Sequence, residues 1–331
     1  MVKRVEILEV LEAVSPGLAK KEVLEHTGCF LFTGDYVRTF NDEIACEHPL
    51  PSGLSISGGI PAEPLLRLLR SLPDEEVRME QTDDELCIKA KRRRGGIRLK
   101  QVDSFAEVKI PDKWESMPEG LADAVNVAQE CVSTDEFLFI LTCVHIHPQW
   151  VEGGDNYQLV RYPIETGIDE SLLLRRGSLD RIKGLEATEW AWTEDWVHFR
   201  TGSGGVISYR RYMENYPDFT EIVNVSGETV KLPEEMKRVV ERAGIFSADE
   251  GTDQVRIELK SDEIRVRGEG SNGWFEERDN VEYGGEPLSF LISPNLITEL
   301  TCRNNKCEIA KRQLIVKTPK FRYATVIDMG K

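Results

Sequence analysis

No long hydrophobic run interrupts this 331-residue chain. The longest, Phe137-Leu-Phe-Ile-Leu-Thr-Cys-Val144, falls far short of the roughly 20 apolar residues that a membrane-spanning helix needs, so no membrane partner is expected. The opening Met1-Val-Lys-Arg-Val-Glu6 leads straight into an amphipathic pattern, without the apolar core or cleavage site of an export signal. A cytoplasmic location is therefore expected. Paired cysteine is also missing. Cys29, Cys46, Cys87, Cys131, Cys143, Cys302 and Cys307 are odd in number, scattered and free of any C-x-x-C spacing, which predicts reduced thiols rather than a disulfide framework. Histidine is scarce, at five residues, and no nucleotide-binding motif in its proper context is present. Positive charge is in deficit: 42 Lys and Arg face 58 Asp and Glu, for a net charge of -16. That total looks wrong for a nucleic-acid binder. Yet net charge sets solubility and the long-range field, while binding depends on where basic residues cluster, so it excludes no class by itself.

What is present is a globular composition and an internal repeat. Hydrophobic residues at 40% argue against wholesale disorder, and the length suits two or three domains. Three segments share one pattern of short helix, strand, polar turn and strand. The first runs from Pro64-Leu-Leu-Arg-Leu-Leu-Arg70 through Val77–Glu80 and the turn at Thr82-Asp-Asp-Glu85 to Leu86–Ala90. The second runs from Gly177–Lys183 through Glu189–Trp192 and Thr193-Glu-Asp195 to Trp196–Arg200. The third runs from Pro294–Leu300 through Lys306–Ala310 and Lys311-Arg-Gln313 to Leu314–Lys317. A longer helix opens each third of the chain, at Val5–Glu12, Leu121–Ala128 and Met236–Ala243. Strands are predicted at Cys29–Thr33, Phe137–Val144, Val255–Leu259 and Ile264–Arg267, and no strand is legible ahead of the first helix. Six helix-plus-antiparallel-hairpin units, two per domain, predict an α+β protein of three tandem two-layer domains, 1–112, 113–223 and 224–331.

Several motifs invite a specific chemistry. Cys143-x-His145-x-His147 places three metal-ligand types on one strand face, and a metal-dependent enzyme using His145 and His147 is the alternative reading. A closed site needs a fourth ligand, and no second cluster supplies one, so sheet packing is expected. Gly268-x-Gly270-x-x-Gly273 matches a dinucleotide fingerprint but lies among hairpins rather than between a strand and a helix, so a loop is expected. The basic run Lys89-Ala-Lys-Arg-Arg-Arg94 reads as a solvated hairpin tip. Asp83-Asp84-Glu85 reads as a polar turn. Trp190, Trp192 and Trp196 read as sheet packing.

In this order and spacing, several stretches are similar to the bacterial DNA polymerase III beta sliding clamp family. They are Ile60–Pro73 with its leucine-rich helix and Leu-Pro exit, Arg210-Arg-Tyr-Met-Glu-Asn-Tyr-Pro-Asp-Phe219, Arg242-Ala-Gly-Ile-Phe-Ser247, Asn280–Glu286 and Ile292-Ser-Pro-Asn-Leu296. The resemblance covers all three expected domains. It implies a DNA clamp fold, a head-to-tail homodimeric ring around double-stranded DNA, a tethered replicative DNA polymerase, a separate clamp loader, and neither catalysis nor cofactor. A monomeric clamp-fold scaffold for proteins is a further alternative.

On that resemblance the DNA-facing candidates are Lys3, Arg67, Arg70, Arg176, Arg181, Lys183, Lys237, Arg238 and Arg242, with Lys20 and Lys21 in the first helix-to-strand loop. The six predicted helices hold 11 Lys and Arg against 12 Asp and Glu, so they are far less acidic than the rest of the chain. The family's partner-peptide pocket maps to Leu141, Asn156, Tyr157, Gln158, Leu159, Pro217, Ile222 and Val326. Here the sequence departs from the family: Gly154-Asp-Asn-Tyr-Gln-Leu159 replaces a T-D-G-H-R-L pattern, and the end reads Val326-Ile-Asp-Met-Gly-Lys331. Such departures suit a divergent member, a phage-encoded one among them. The dimer contact maps to Phe105 against Ile245 and Phe246.

Overall fold

The computed structural model describes residues 1–19, 27–100, 107–179, 186–247 and 253–329. Contacts divide the chain into two compact units. One comprises Met1–Glu119 with Gly177–Tyr212, and the other Gly120–Arg176 with Met213–Lys331.

In the first unit, helices α1 (Arg4–Val14) and α2 (Ala62–Ser71) pack against each other. Each buries a stripe at helical spacing: Ile7, Leu8, Val10, Leu11 and Val14 on α1, and Ala62, Leu65, Leu66 and Leu69 on α2. A four-stranded antiparallel sheet runs Val2–Lys3, Glu76–Gln81, Glu85–Ala90, Arg93–Arg98. The two-residue strand at Val2–Lys3 corrects the expectation that nothing precedes the first helix. A second antiparallel sheet runs Ile56–Pro61, Cys29–Gly34, Tyr36–Phe40, Ile44–Pro49, Val206–Tyr212, Trp196–Thr201, Ala187–Trp192 and Glu115–Ser116. The fifth strand of that order lies far along the chain from the fourth, so the middle of the sequence completes the sheet of its beginning.

The second unit repeats this arrangement. One antiparallel sheet runs Leu172–Arg175, Cys143–His147, Trp150–Gly154, Gln158–Pro163, Arg322–Val326, Gln313–Lys317, Lys306–Ala310 and Glu228–Lys231, with Glu282–Tyr283 beside the last. The other runs Gly273–Asn280, Glu263–Gly270, Val255–Leu259, Leu288–Ile292. Helix α3 (Leu121–Gln129) lies on the strands Trp150–Gly154 and Gln158–Pro163. Two short helices follow, α4 (Arg176–Leu179), which begins at the end of this unit's first segment, and α5 (Thr220–Val223). Then α6 (Met236–Ser247) packs on α7 (Pro294–Arg303) and on the strand Glu263–Gly270. Glycine makes both helix-to-sheet approaches possible. A Cβ on Gly153 would stand 2.3 Å from the Ala128 carbonyl oxygen, and one on Gly268 1.8 Å from that of Ala243.

Local chemistry explains the turns. Thr82 N–H donates to the Glu85 carbonyl while its hydroxyl accepts from Glu85 N–H, and Thr193 makes the same pair of bonds with Trp196. The two turns are equivalent in the sequence repeat, and the polar triplet Asp83-Asp84-Glu85 is thereby a turn. Gly268, Gly270 and Gly273 belong to a β-hairpin rather than a loop. Phe137–Val144 is not one strand. The Asp135 carboxylate caps Phe137 N–H at 3.0 Å, a 3-10 helix covers Glu136–Thr142, and the strand begins only at Cys143. Trp190 and Trp196 are buried, with Trp190 and Trp192 tilted against each other at 5.1 Å.

His198 is fully buried between the strands of the first unit. Its Nδ1 is 2.7 Å from the Ser208 hydroxyl, and the edge of Trp114 lies nearby. Burial disfavours the imidazolium and lowers the pKa from 6.5 to about 4. The native state thus stays neutral while the unfolded chain takes up a proton. Stability should fall as pH drops from 6.5 towards 4 and change no further from this source below that. Urea unfolding of His198→Gln should show a flatter pH dependence across this window than the parent; parallel curves would refute the assignment.

Candidate partner cleft, helix faces and sheet edges

A cleft of about 730 Å³ opens in the second unit. The Asp155 carboxylate accepts from Tyr157 N–H at 2.7 Å and Gln158 N–H at 2.8 Å, an Asx turn that starts the strand Gln158–Pro163. The Tyr157 carbonyl in turn accepts from Val326 N–H at 2.8 Å and the Thr325 hydroxyl at 3.0 Å. Tyr157, 60% exposed, and Val326, 41% exposed, therefore stand side by side on one wall. Beyond Val326 the chain crosses to the other sheet, where Asp328 and Leu291 exchange both backbone hydrogen bonds. Ile327 and Asp328 thus line the cleft together with Leu291, Ile292 and the start of α7 at Ser293, Asn295 and Leu296.

Of the residues predicted for a peptide pocket, Tyr157 and Val326 line this cleft. Asn156 is exposed in the same turn, Gln158 accepts from the Tyr323 hydroxyl at 2.9 Å, and Leu159 is buried opposite Ala324. Ile222 packs on Ala310, Ile315 and Ala324. Leu141 is half-buried and Pro217 exposed, and neither lines the cleft. Sequence reasoning missed Leu291, Leu296 and Ile327. Leu291 and Leu296 flank the Ser293-Pro294 helix start, the one local signal in the sequence for this wall.

The histidines of the metal alternative belong to a buried ionic network. His145 Nδ1 is 2.9 Å from the Glu152 carboxylate, which also accepts from Arg161 at 2.7 and 2.8 Å. Arg161 stacks over Trp150 and donates to the Thr220 hydroxyl, while Tyr216 packs 4.6 Å from His145. Burial, then the Glu152 charge, raises the Tyr216 pKa. His147 stacks on Trp150 at 3.6 Å, and burial followed by the neighbouring His145 lowers its pKa. Among the described residues no group of three or more His, Cys, Asp or Glu is arranged to hold a metal ion. The network ties the connector residues Tyr216 and Thr220 to the sheet.

The described basic candidates are mostly engaged. Lys3 bonds Glu6, Arg67 reaches Glu63, Arg238 bonds Glu235, and Arg70 crosses from α2 to Glu12 on α1 at 2.8 Å. Arg242 donates to the Glu277 carboxylate through Nε and Nη2, and Arg176 donates to the Val132 carbonyl. Lys237 is exposed with no ion pair among the described residues. Lys20, Lys21, Arg181, Lys183 and Phe105 lie outside the described residues. The run Lys91–Arg94 is exposed, as expected of a hairpin tip, and Arg93 pairs with the buried Asp74 at 2.9 Å.

Among the described residues, each four-stranded sheet has an outer strand paired on one side. Arg93–Arg98 carries Arg93, Arg94 and Arg98; Gly273–Asn280 carries Glu276, Glu277, Arg278 and Asp279. Ile245, 69% exposed, ends α6 near the second edge, and Phe246 lies against Gly273.

Helices on antiparallel sheets, repeated along the chain and joined by strands shared between successive thirds, define an α+β fold of the DNA clamp type. Solved structures match over the full length. The chain is 17% identical to DNA polymerase III beta subunit from Thermotoga maritima, with TM-score 0.86 and coverage of 100% of this chain and 99% of that one. It is 18% identical to the beta subunit from DNA polymerase of Streptococcus pyogenes, with TM-score 0.87 and 99% coverage of both chains. It is 13% identical to DNA polymerase III subunit beta from Pseudomonas aeruginosa, with TM-score 0.86 and 98% coverage of both. No protein-family profile and no curated protein sequence matches the chain. The fold is that of these sliding clamps.

Removing Glu152 leaves Arg161 buried and unpaired, which costs about 3–5 kcal/mol in comparable sites. Glu152→Ala should lower the unfolding midpoint sharply in a thermal melt. A loss below about 1 kcal/mol, the range of surface pairs, would show that the network does not hold the connector.

Proposed function

We propose that this chain is a DNA sliding clamp: two copies close a ring around duplex DNA and tether a replicative DNA polymerase. The observation that carries the reading is the match of the whole chain to sliding clamps at TM-scores of 0.86 and 0.87. The function is mechanical, without catalysis or cofactor. Enclosure keeps the ring on its template, so contacts to DNA need only be weak and phosphate-directed. A separate clamp loader opens it. No helix among the described residues is long and apolar enough to cross a membrane, and we place the protein in the cytoplasm of a bacterium or infected host.

The domain division 1–112, 113–223 and 224–331 is part of this reading. Two features support it: strand Ile44–Pro49 pairs with Val206–Tyr212, and Gln158–Pro163 pairs with Arg322–Val326. In each, the third strand of one half-domain joins the third strand of the next domain's second half. Continuing the rule leaves Gly273–Asn280 and Arg93–Arg98 as the outstanding pair. An antiparallel ladder between these edges of two copies, acidic against basic, is a heterologous contact that closes into a ring. Ile245 and Phe246 flank it, and Phe105 is their expected counterpart.

Lys3, Arg67, Arg70, Arg176, Lys237, Arg238 and Arg242, with Lys20, Lys21, Arg181 and Lys183, remain the proposed DNA-facing set. Most of the described ones hold carboxylates, so phosphate contact requires exchanging one anion for another and adds little grip. The partner-peptide site is proposed at the cleft walled by Tyr157 and Val326, with Leu141, Asn156, Gln158, Leu159, Pro217 and Ile222 as the rest of the proposed set. The metal-dependent enzyme finds no ligand group among the described residues.

Sedimentation should give a mass of two protomers of 37.6 kDa each. Arg94→Glu with Arg98→Glu, and separately Ile245→Ala with Phe246→Ala, should give one. A monomeric parent would favour the scaffold alternative, and a dimer untouched by both variants would remove the edge-strand joint.

A further inference from the structure

We infer that the cleft between Tyr157 and the start of α7 selects an extended apolar peptide bearing basic rather than acidic residues beside its anchors. The inference rests on the proposed role of this cleft as the partner site. Its apolar surface comes from Tyr157, Leu291, Leu296, Val326 and Ile327, which suits leucine or phenylalanine anchors. Its charge is one-sided. Among the described residues, Asp155, Asp253 and Asp328 line it together with one cation, Arg312.

The partners of these groups decide what a ligand feels. Asp155 spends its carboxylate on the N–H groups of Tyr157 and Gln158 and on the Gln158 amide, and no cation pairs with it among the described residues. Asp253 is exposed and likewise has no cationic partner among them. Arg312 stands 4.0 Å from Asp328, with both side chains more than half exposed. The start of α7 adds the equivalent of about half a positive charge, which offsets less than one of the three carboxylates. Its first turn carries no acidic residue, and Ser293 makes no side-chain cap. The balance of the described residues stays negative, so a lysine or arginine on the ligand is attracted and a glutamate repelled.

The probes are two end-blocked fluorescent peptides, KKALALFA and EEALALFA, titrated against the intact protein by polarisation. The lysine peptide should bind about fivefold more tightly at low salt, as two exposed pairs allow, and the difference should shrink at high salt. Asp253→Asn keeps a residue tolerant of the positive φ of 35° at this position, and should narrow the gap. Asp328→Asn, a second variant, should act in the same direction. Equal binding, or preference for the glutamate peptide, overturns the charge selectivity while leaving the partner site standing. Binding of neither peptide overturns the partner site and this inference with it.

Discussion

The structure depends on strand pairing between parts of the chain that are distant in sequence. Ile44–Pro49 bonds to Val206–Tyr212 and Gln158–Pro163 to Arg322–Val326, each through a continuous antiparallel ladder. A backbone ladder fixes register as well as proximity, because a slip of one residue would turn every buried side chain outward. Each junction thus becomes the interior of a sheet, with Tyr209 and Tyr323 fully buried on the joining strands. Among the described residues, the same logic leaves Gly273–Asn280 and Arg93–Arg98 each paired on one side. An exposed edge invites pairing with another chain unless something covers or blunts it. The proposed ring is that invitation used once, between copies.

Charge follows the same economy of placement. The chain carries -16, yet most of the described basic side chains proposed to face DNA already hold a carboxylate. Exposed pairs of this kind contribute little stability, typically under about 1 kcal/mol, so they can open and re-form as a phosphate passes. A surface arranged this way neither repels duplex DNA strongly nor grips it. That suits a tether, which must stay on and still move.

Much of the fold was legible in local pattern. The stripes of α1, α2, α6 and α7 follow from apolar spacing, and the turns at Thr82 and Thr193 from a repeated threonine before polar residues. Three things were not. Phe137–Val144 has no periodicity, so a 3-10 turn capped by Asp135 and a following strand merge into one apolar run. The strand Val2–Lys3 is too short to show a pattern and exists through its pairing with Glu76 and Val77. The cleft wall needs the Leu291–Asp328 bridge, and the pairs of Arg70 with Glu12 and Arg242 with Glu277 need helices brought onto their neighbours. Of the residues proposed for a pocket, Tyr157 and Val326 line the cleft, brought together by the Tyr157–Val326 backbone bond although both segments depart from the family pattern. The opposite wall is not legible because Leu291 and Leu296 flank what reads as an ordinary helix start.

The proposed hold on DNA is topological: the protein would remain on its template by surrounding it. The direct measurement loads the protein onto a nicked circular plasmid with a clamp loader and follows its loss before and after a single cut linearises the circle. Enclosure predicts slow release from the circle and rapid release once ends exist. Equal release rates from the two forms would contradict it.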